Sequence, residues 1–197
     1  MVRHESGARM ETQLQKEAPQ TEFSLDSAVI YTLHGKCKIT QIDTRTHEGN
    51  SIQFYKLEVQ KSPLARTNRS DPAIWVPVSN SRNLGLRAPI TRPEAEEVLK
   101  VISSKDSFYS LSEPWHLIHT KLEAAIRAEG CIGLGKVFSY LYVLKRKLGT
   151  LPKDPTKFYE LVHKLLFREL SEALEEAPKA IEDKLARSLK NKPVLDS

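Results

Sequence analysis

The hydrophobic period of the sequence changes once, near Thr91, and that change restricts the chain to a β module followed by a helical one. From Phe23 to Val78 the apolar residues fall in short runs bounded by turn residues. "AVIYTL" (28–33) ends at His34-Gly35, "KCKITQID" (36–43) follows, and "IQFYKLEV" (52–59) starts after the turn "HEGN". Tyr55, Leu57 and Val59 alternate onto one face, as do Ile74, Val76 and Val78 of "IWVPV" (74–78), which is the period-two pattern of half-buried strands. Pro77 has no amide proton, so that run belongs at a sheet edge or ends there. Four or five strands this short predict a small, strongly bent antiparallel sheet or barrel, too small to enclose a ligand-sized cavity.

Beyond Thr91 the apolar spacing is helical. Thr91 and Glu94 make a capping box with Pro93 inside the first turn, and Ala95, Val98, Leu99 and Ile102 form one stripe. "SSKDSFYSLSE" interrupts, and Ser112, followed by Pro114, is the predicted cap of a second helix. A third helix is expected from about Leu134 to Leu148, ended by Gly149. Asp154-Pro155 starts a fourth, with Phe158, Leu161, Val162, Leu165, Leu166 and Leu170 on its apolar face and Pro178 as its stop. A short charged helix from Lys179 to about Lys190 is expected after it. The expected fold class is α+β: a small N-terminal antiparallel, barrel-like β module over 23–90, then an all-helical C-terminal module of four to five helices. Residues 91–178 form the body of that module and 179–197 a charged helix and tail, while the polar residues 1–22 read as a disordered tail.

At 197 residues, 40% hydrophobic and 28% charged, the composition is that of a globular protein. No apolar run approaches the roughly 18 residues of a membrane span, and the first residues lack the apolar segment of an export signal. Cys37 and Cys131 are far apart and in no CxxC motif, so a disulfide framework is not expected and the cytoplasm is the expected compartment. The net charge of +5 is uneven: residues 23–92 carry ten Lys/Arg against five Asp/Glu, and residues 113–157 eight against four. Two basic zones suit a protein that meets nucleic acid or an acidic partner, and equally an ordinary solvated surface.

Several local patterns invite a catalytic reading, and their chemistry argues against it. "GCIGLGKV" (130–137) has the spacing of a phosphate loop, but Val137 stands where the magnesium-binding hydroxyl is needed and a helix precedes the loop where a strand is required. The expectation there is a flexible connection between helices. His116 and His119 have the spacing of a metal pair but lack a third ligand. No nucleophile elbow or Cys/His pairing occurs, so no catalytic residue, metal site or cofactor is expected.

"VPVSNSRNLGLRAPIT", "YTLHG", "QIDTRTHEG", "SEPWHLIHTKLEAA" and "GKVFSYLYVLKRKLGTLPKDPTKFYELVHKLLFREL", in their order and spacing, resemble the CarD/CdnL family of bacterial transcription regulators over about Phe23 to Glu175. The resemblance implies a non-enzymatic, monomeric, nucleoid-associated protein with two attachments. Its β module would be Tudor-like and dock on the RNA polymerase β subunit by strand addition, through Arg45, Trp75, Val76 and Pro77. Its helical module would meet promoter DNA at the upstream edge of the transcription bubble and modulate open-complex stability. Trp115 matches the family's wedge tryptophan, and His116, His119, Lys121, Lys136, Lys145, Arg146 and Lys147 are the candidate DNA contacts around it.

The helical stripe Trp115, Ile118, Leu122, Ala125 equally makes Trp115 an ordinary core residue, although its first-turn position keeps it near a module edge. The sequence also departs from the family pattern. No arginine or lysine follows Trp115 before Lys121, Trp75 stands where some members have arginine, the loop 60–73 is long, and Thr32 replaces a proline. The thinned basic patch leaves open a second function, a polymerase- or protein-binding adaptor that has lost the DNA wedge.

Overall fold

The computed structural model of the chain describes residues 21–47, 50–60, 72–190 and 192. The expected N-terminal tail, but for its last two residues, and most of the loop 60–73, with Lys61, Arg66 and Arg69, lie outside the described residues. Strands β1 (Ala28–Tyr31), β2 (Gly35–His47), β3 (Asn50–Val59), β4 (Ile74–Pro77) and β5 (Leu86–Arg87) form one antiparallel sheet in the order β4-β3-β2-β1-β5. Val29, Cys37, Ile39, Tyr55, Leu57, Val76, Val78 and Leu86 make its buried core. A register shift between Ile39 and Gln41 lets Ile39 and Ile42 both face that core despite their odd spacing, the usual effect of a bulge.

Among the described residues the sheet is open where a barrel is expected, because β4 and β5 end it and do not pair with each other. With two residues, β5 offers too short an edge for closure. Its segment, "GLR", carries no periodic signal and becomes a strand only by pairing with Ile30 and Tyr31 of β1. β1 also stops before the predicted Leu33. A single 3₁₀ turn, Thr32–His34, takes Leu33 out of the sheet to pack against the helices.

Among the described residues five helices follow: α1 (Arg92–Ser103), α2 (Trp115–Glu129), α3 (Cys131–Leu148), α4 (Lys153–Leu174) and α5 (Pro178–Lys190). The capping box of α1 forms, with the Glu94 carboxylate accepting from the Thr91 amide at 2.6 Å. Ser112 does not cap α2. Its hydroxyl pairs with that of Ser110 in the preceding turn, and the helix opens at Trp115 after Pro114. Pro178 likewise is the first residue of α5, since α4 already ends at Glu175 in the left-handed conformation. α5 is more than a charged appendage, burying Ile181, Leu185 and Leu189 in the same core as α1 to α4.

The largest correction falls on residues 130–137. Only Gly130, at φ 60°, joins α2 to α3, and Cys131 onward is helix. A Cβ on Gly133 would lie 2.4 Å from the Ala125 carbonyl oxygen, and one on Gly135 would lie 3.2 Å from Ile102 and Val98. These glycines allow α3 to lie tightly against α2 and α1. The glycine spacing that imitates a phosphate loop is a packing feature, and no loop is left to cradle a phosphate.

The modules meet through β5 and α4. Arg87 donates two hydrogen bonds to the buried Glu169 carboxylate, at 2.5 and 2.7 Å, and the Ile90 amide adds a third at 3.3 Å. Lys36 pairs with Glu172 at 2.6 Å, and Arg168 donates to the Gln60 carbonyl at 2.8 Å. Gly35 comes so close to α4 that a Cβ would sit 2.6 Å from Leu165.

Gly133→Ala is expected to destabilise the protein by about 1–3 kcal/mol, because the obstruction is backbone that cannot swing aside. Gly135→Ala, which meets only side-chain tips, is expected to cost less. Urea denaturation of both variants checks the order, and equal midpoints would contradict the close crossing of α2 and α3.

Candidate docking face and nucleic-acid interface

Cross-strand partners share a face of a sheet, and the register therefore sorts the β-module residues. Tyr55 pairs with Val76 and Leu57 with Ile74 toward the core. Lys56 with Trp75, Phe54 with Pro77, and Ile52 with Arg45 point the other way. On this outer face the Arg45 guanidinium carbon lies 3.9 Å from the Trp75 ring centroid and 5.5 Å from that of Phe54. Lys56 approaches Trp75 at 5.6 Å, and Asp43 stands 3.5 Å from the Arg45 Nε. A planar cation laid on an indole loses little freedom when it binds a partner, because its orientation is already set.

Of the four predicted polymerase contacts, Arg45, Trp75 and Pro77 thus gather on one face beside β4, an end strand as Pro77 foreshadows. Val76 is the exception. Its side chain is 1% exposed and belongs to the core, so it has only its backbone to offer. Phe54 and Lys56 complete the face and were absent from the predicted set. Their alternation with Tyr55 and Leu57 is the signal that places them outward.

The predicted DNA contacts divide differently. Trp115, the first residue of α2, is half-buried, its ring against His119 at 5.0 Å and Phe158 at 5.9 Å. It is neither sealed in the core nor freely exposed. His116 and the neighbouring Leu117 are exposed. Lys121 is bound to Glu113 at 2.6 Å, and Lys136 to Glu129 at 2.5 Å while lying over Phe108. Glu129 ends α2 about 21 Å along the helix from Trp115, and Lys136 of α3 is bound at that far end.

Lys145 lies over the ring of Tyr159, next in sequence to the Phe158 that supports the indole. Lys147 is exposed at the end of α3. Arg146 points elsewhere, donating to the carbonyls of Leu189 at 3.1 Å and Lys192 at 2.9 Å. It thereby satisfies backbone acceptors at the end of α5, as cations near helix C-termini do. Lys192 is itself buried, donating to the Ser139 hydroxyl and, at 3.4 Å, to the Ile102 carbonyl, and burial lowers its pKa. The predicted cluster of eight therefore resolves into Trp115 with His119 beside it, the exposed His116 and Lys147, Lys145 over Tyr159, two local ion pairs and one structural arginine.

Among the described residues no group of three or more His, Cys, Asp or Glu is placed to hold a metal ion. Both cysteines are buried free thiols, and burial pushes that of Cys37 up to about 11. No described helix is long and apolar enough to cross a membrane. No protein-family model matches the sequence, and no curated protein matches it.

Arg146→Ala is expected to cost about 2 kcal/mol, since it removes two charge-assisted bonds to the carbonyls of Leu189, which otherwise accepts only from the Lys192 amide, and Lys192 at the end of α5. Hydrogen exchange at the end of α5 should accelerate together with a fall in the urea midpoint. A variant with unchanged exchange and midpoint would return Arg146 to the candidate nucleic-acid contacts.

Proposed function

We propose that this protein is a transcription regulator of the CarD/CdnL type. On this reading its β module, an open relative of a Tudor-like barrel, docks on the RNA polymerase β subunit, and its helical module meets promoter DNA at the upstream edge of the transcription bubble. The cytoplasm and nucleoid are its place of action, and the monomer its working form. The observation that carries the reading is the end strand β4, with the Arg45–Trp75 face beside it. A partner strand added there gains backbone hydrogen bonds for affinity and meets the stacked guanidinium for specificity. Pro77 donates no backbone hydrogen bond, so the added strand takes its register from Ile74, Trp75 and Val76.

The order of the resembling motifs supports the same reading, as does the half-buried indole at the start of α2. An apolar plate that contacts melted DNA better than closed duplex shifts the equilibrium toward the open complex by its differential affinity alone.

A specific observation favours a second reading, that of a polymerase- or protein-binding adaptor without a DNA wedge. Lys121 and Lys136 are held in ion pairs and Arg146 is bound to backbone carbonyls, which leaves few of the candidate cations to face phosphate. Footprinting on a promoter separates the two readings, since only the first extends protection upstream of the bubble.

Arg45→Glu is expected to weaken retention by polymerase by at least about thirtyfold, the loss of one interface anchor. Unchanged co-purification would contradict the docking face. Trp115→Ala is expected to bind polymerase normally and to lose the effect on open-complex lifetime. A normal effect would return Trp115 to a purely structural role.

A further inference from the structure

We propose that His119 and Phe158 are positioning residues for Trp115, forming with it a three-ring socket that fixes the direction in which the indole leaves the bundle. The inference rests on the reading of Trp115 as the group that meets DNA, and it moves His119 from contacting phosphate to holding a ring.

His119 lies four residues after Trp115, one turn further along the same side of α2, so the two side chains meet. Their centroids are 5.0 Å apart at an interplanar angle of 51°. Phe158 of α4, 6% exposed, closes the triangle edge-on, at 5.9 Å and 67° to the indole and 4.7 Å and 65° to the imidazole. Tilted and edge-to-face arrangements at these distances are the favourable ones for aromatic rings, because positive edges meet negative faces. Three mutual contacts leave the indole much less free than a single exposed ring.

The backbone beneath is also fixed. Pro114, with φ −57°, sets the entry into α2, and the buried Ile118 and Leu122 set the helix's rotation against the core. A first-turn tryptophan would otherwise fold back onto the core or swing into solvent. Glu123, one turn further along α2, stands 3.8 Å from the imidazole Nε2. The imidazole's ring contacts are with Trp115 and Phe158, and these hold it beside the indole.

Two measurements decide the matter. The chain has two tryptophans, so in a Trp75→Phe background Trp115 is the sole indole emitter. Time-resolved fluorescence with acrylamide then reports the fraction of indole outside the socket. His119→Ala is expected to raise that fraction about two- to tenfold, the equivalent of one lost ring contact, and His119→Phe to restore it. With Trp75 intact, open-complex lifetime should fall in His119→Ala and recover in His119→Phe.

An unchanged fluorescence decay in His119→Ala would overturn the socket. So would a His119→Phe variant that restores the decay without restoring lifetime, because the imidazole nitrogens would then be acting on DNA directly. If Trp115→Ala itself leaves lifetime unchanged, the DNA reading falls alone, and the fluorescence decay still decides whether the socket exists.

Discussion

The arrangement of the two modules depends on one buried ion pair. Glu169 is 6% exposed, and a carboxylate at that depth is tolerated only when its charge is met. Arg87 meets it with a two-pronged hydrogen bond, and the Ile90 amide occupies a further lone pair. Burial pulls the Arg87 pKa down, but the neighbouring carboxylate more than reverses this, and the guanidinium stays charged. Removing either partner would leave the other buried and unmatched, at a cost of about 3–5 kcal/mol. The pair is also directional. Arg87 ends the two-residue strand β5, so its bonds to α4 fix the end of the sheet against the bundle, and Lys36–Glu172 and Arg168–Gln60 prevent rotation about that point.

This joint gives the candidate sites a fixed relation. The Arg45–Trp75 face lies on the outer side of the sheet, and the indole of Trp115 is held at the opening of α2. On the proposed reading the protein holds two partners, and rigidly spaced sites spare it the entropy of ordering a loose tether on every engagement. The candidate cations modify this picture. Lys121, Lys136 and Arg146 are matched by local acids or carbonyls, so on the proposed reading attraction to phosphate is modest and recognition falls more on aromatic contact.

Much of the fold was legible because it is written in periodicity. The period-two runs around Tyr55 and Val76, the capping box at Thr91 and the stripes of α1 and α4 need only local rules. Pro77 marked the end strand for the same reason. What stayed hidden depends on partners far away in sequence. The "GLR" strand exists only through β1, the glycines of α3 are explained by Ala125 and Ile102, and Arg87 gains its role from a glutamate 82 residues later. The candidate site divided along the same line. The resemblance named Arg45 and Trp75 and the strand register brings them onto one face, whereas no spacing rule reveals that Arg146 would turn toward the end of α5 or that Phe158 would back the indole.

The most direct test of the account is the distance distribution between the modules. Spin labels at the exposed positions Thr44 in β2 and Ala124 in α2, with Cys37 and Cys131 replaced, would be measured by electron–electron double resonance in the otherwise native chain and in Arg87→Ala. A single narrow distribution that broadens when Arg87 is removed is the predicted result. A broad distribution in the native chain, or a narrow one that survives the loss of Arg87, would contradict it.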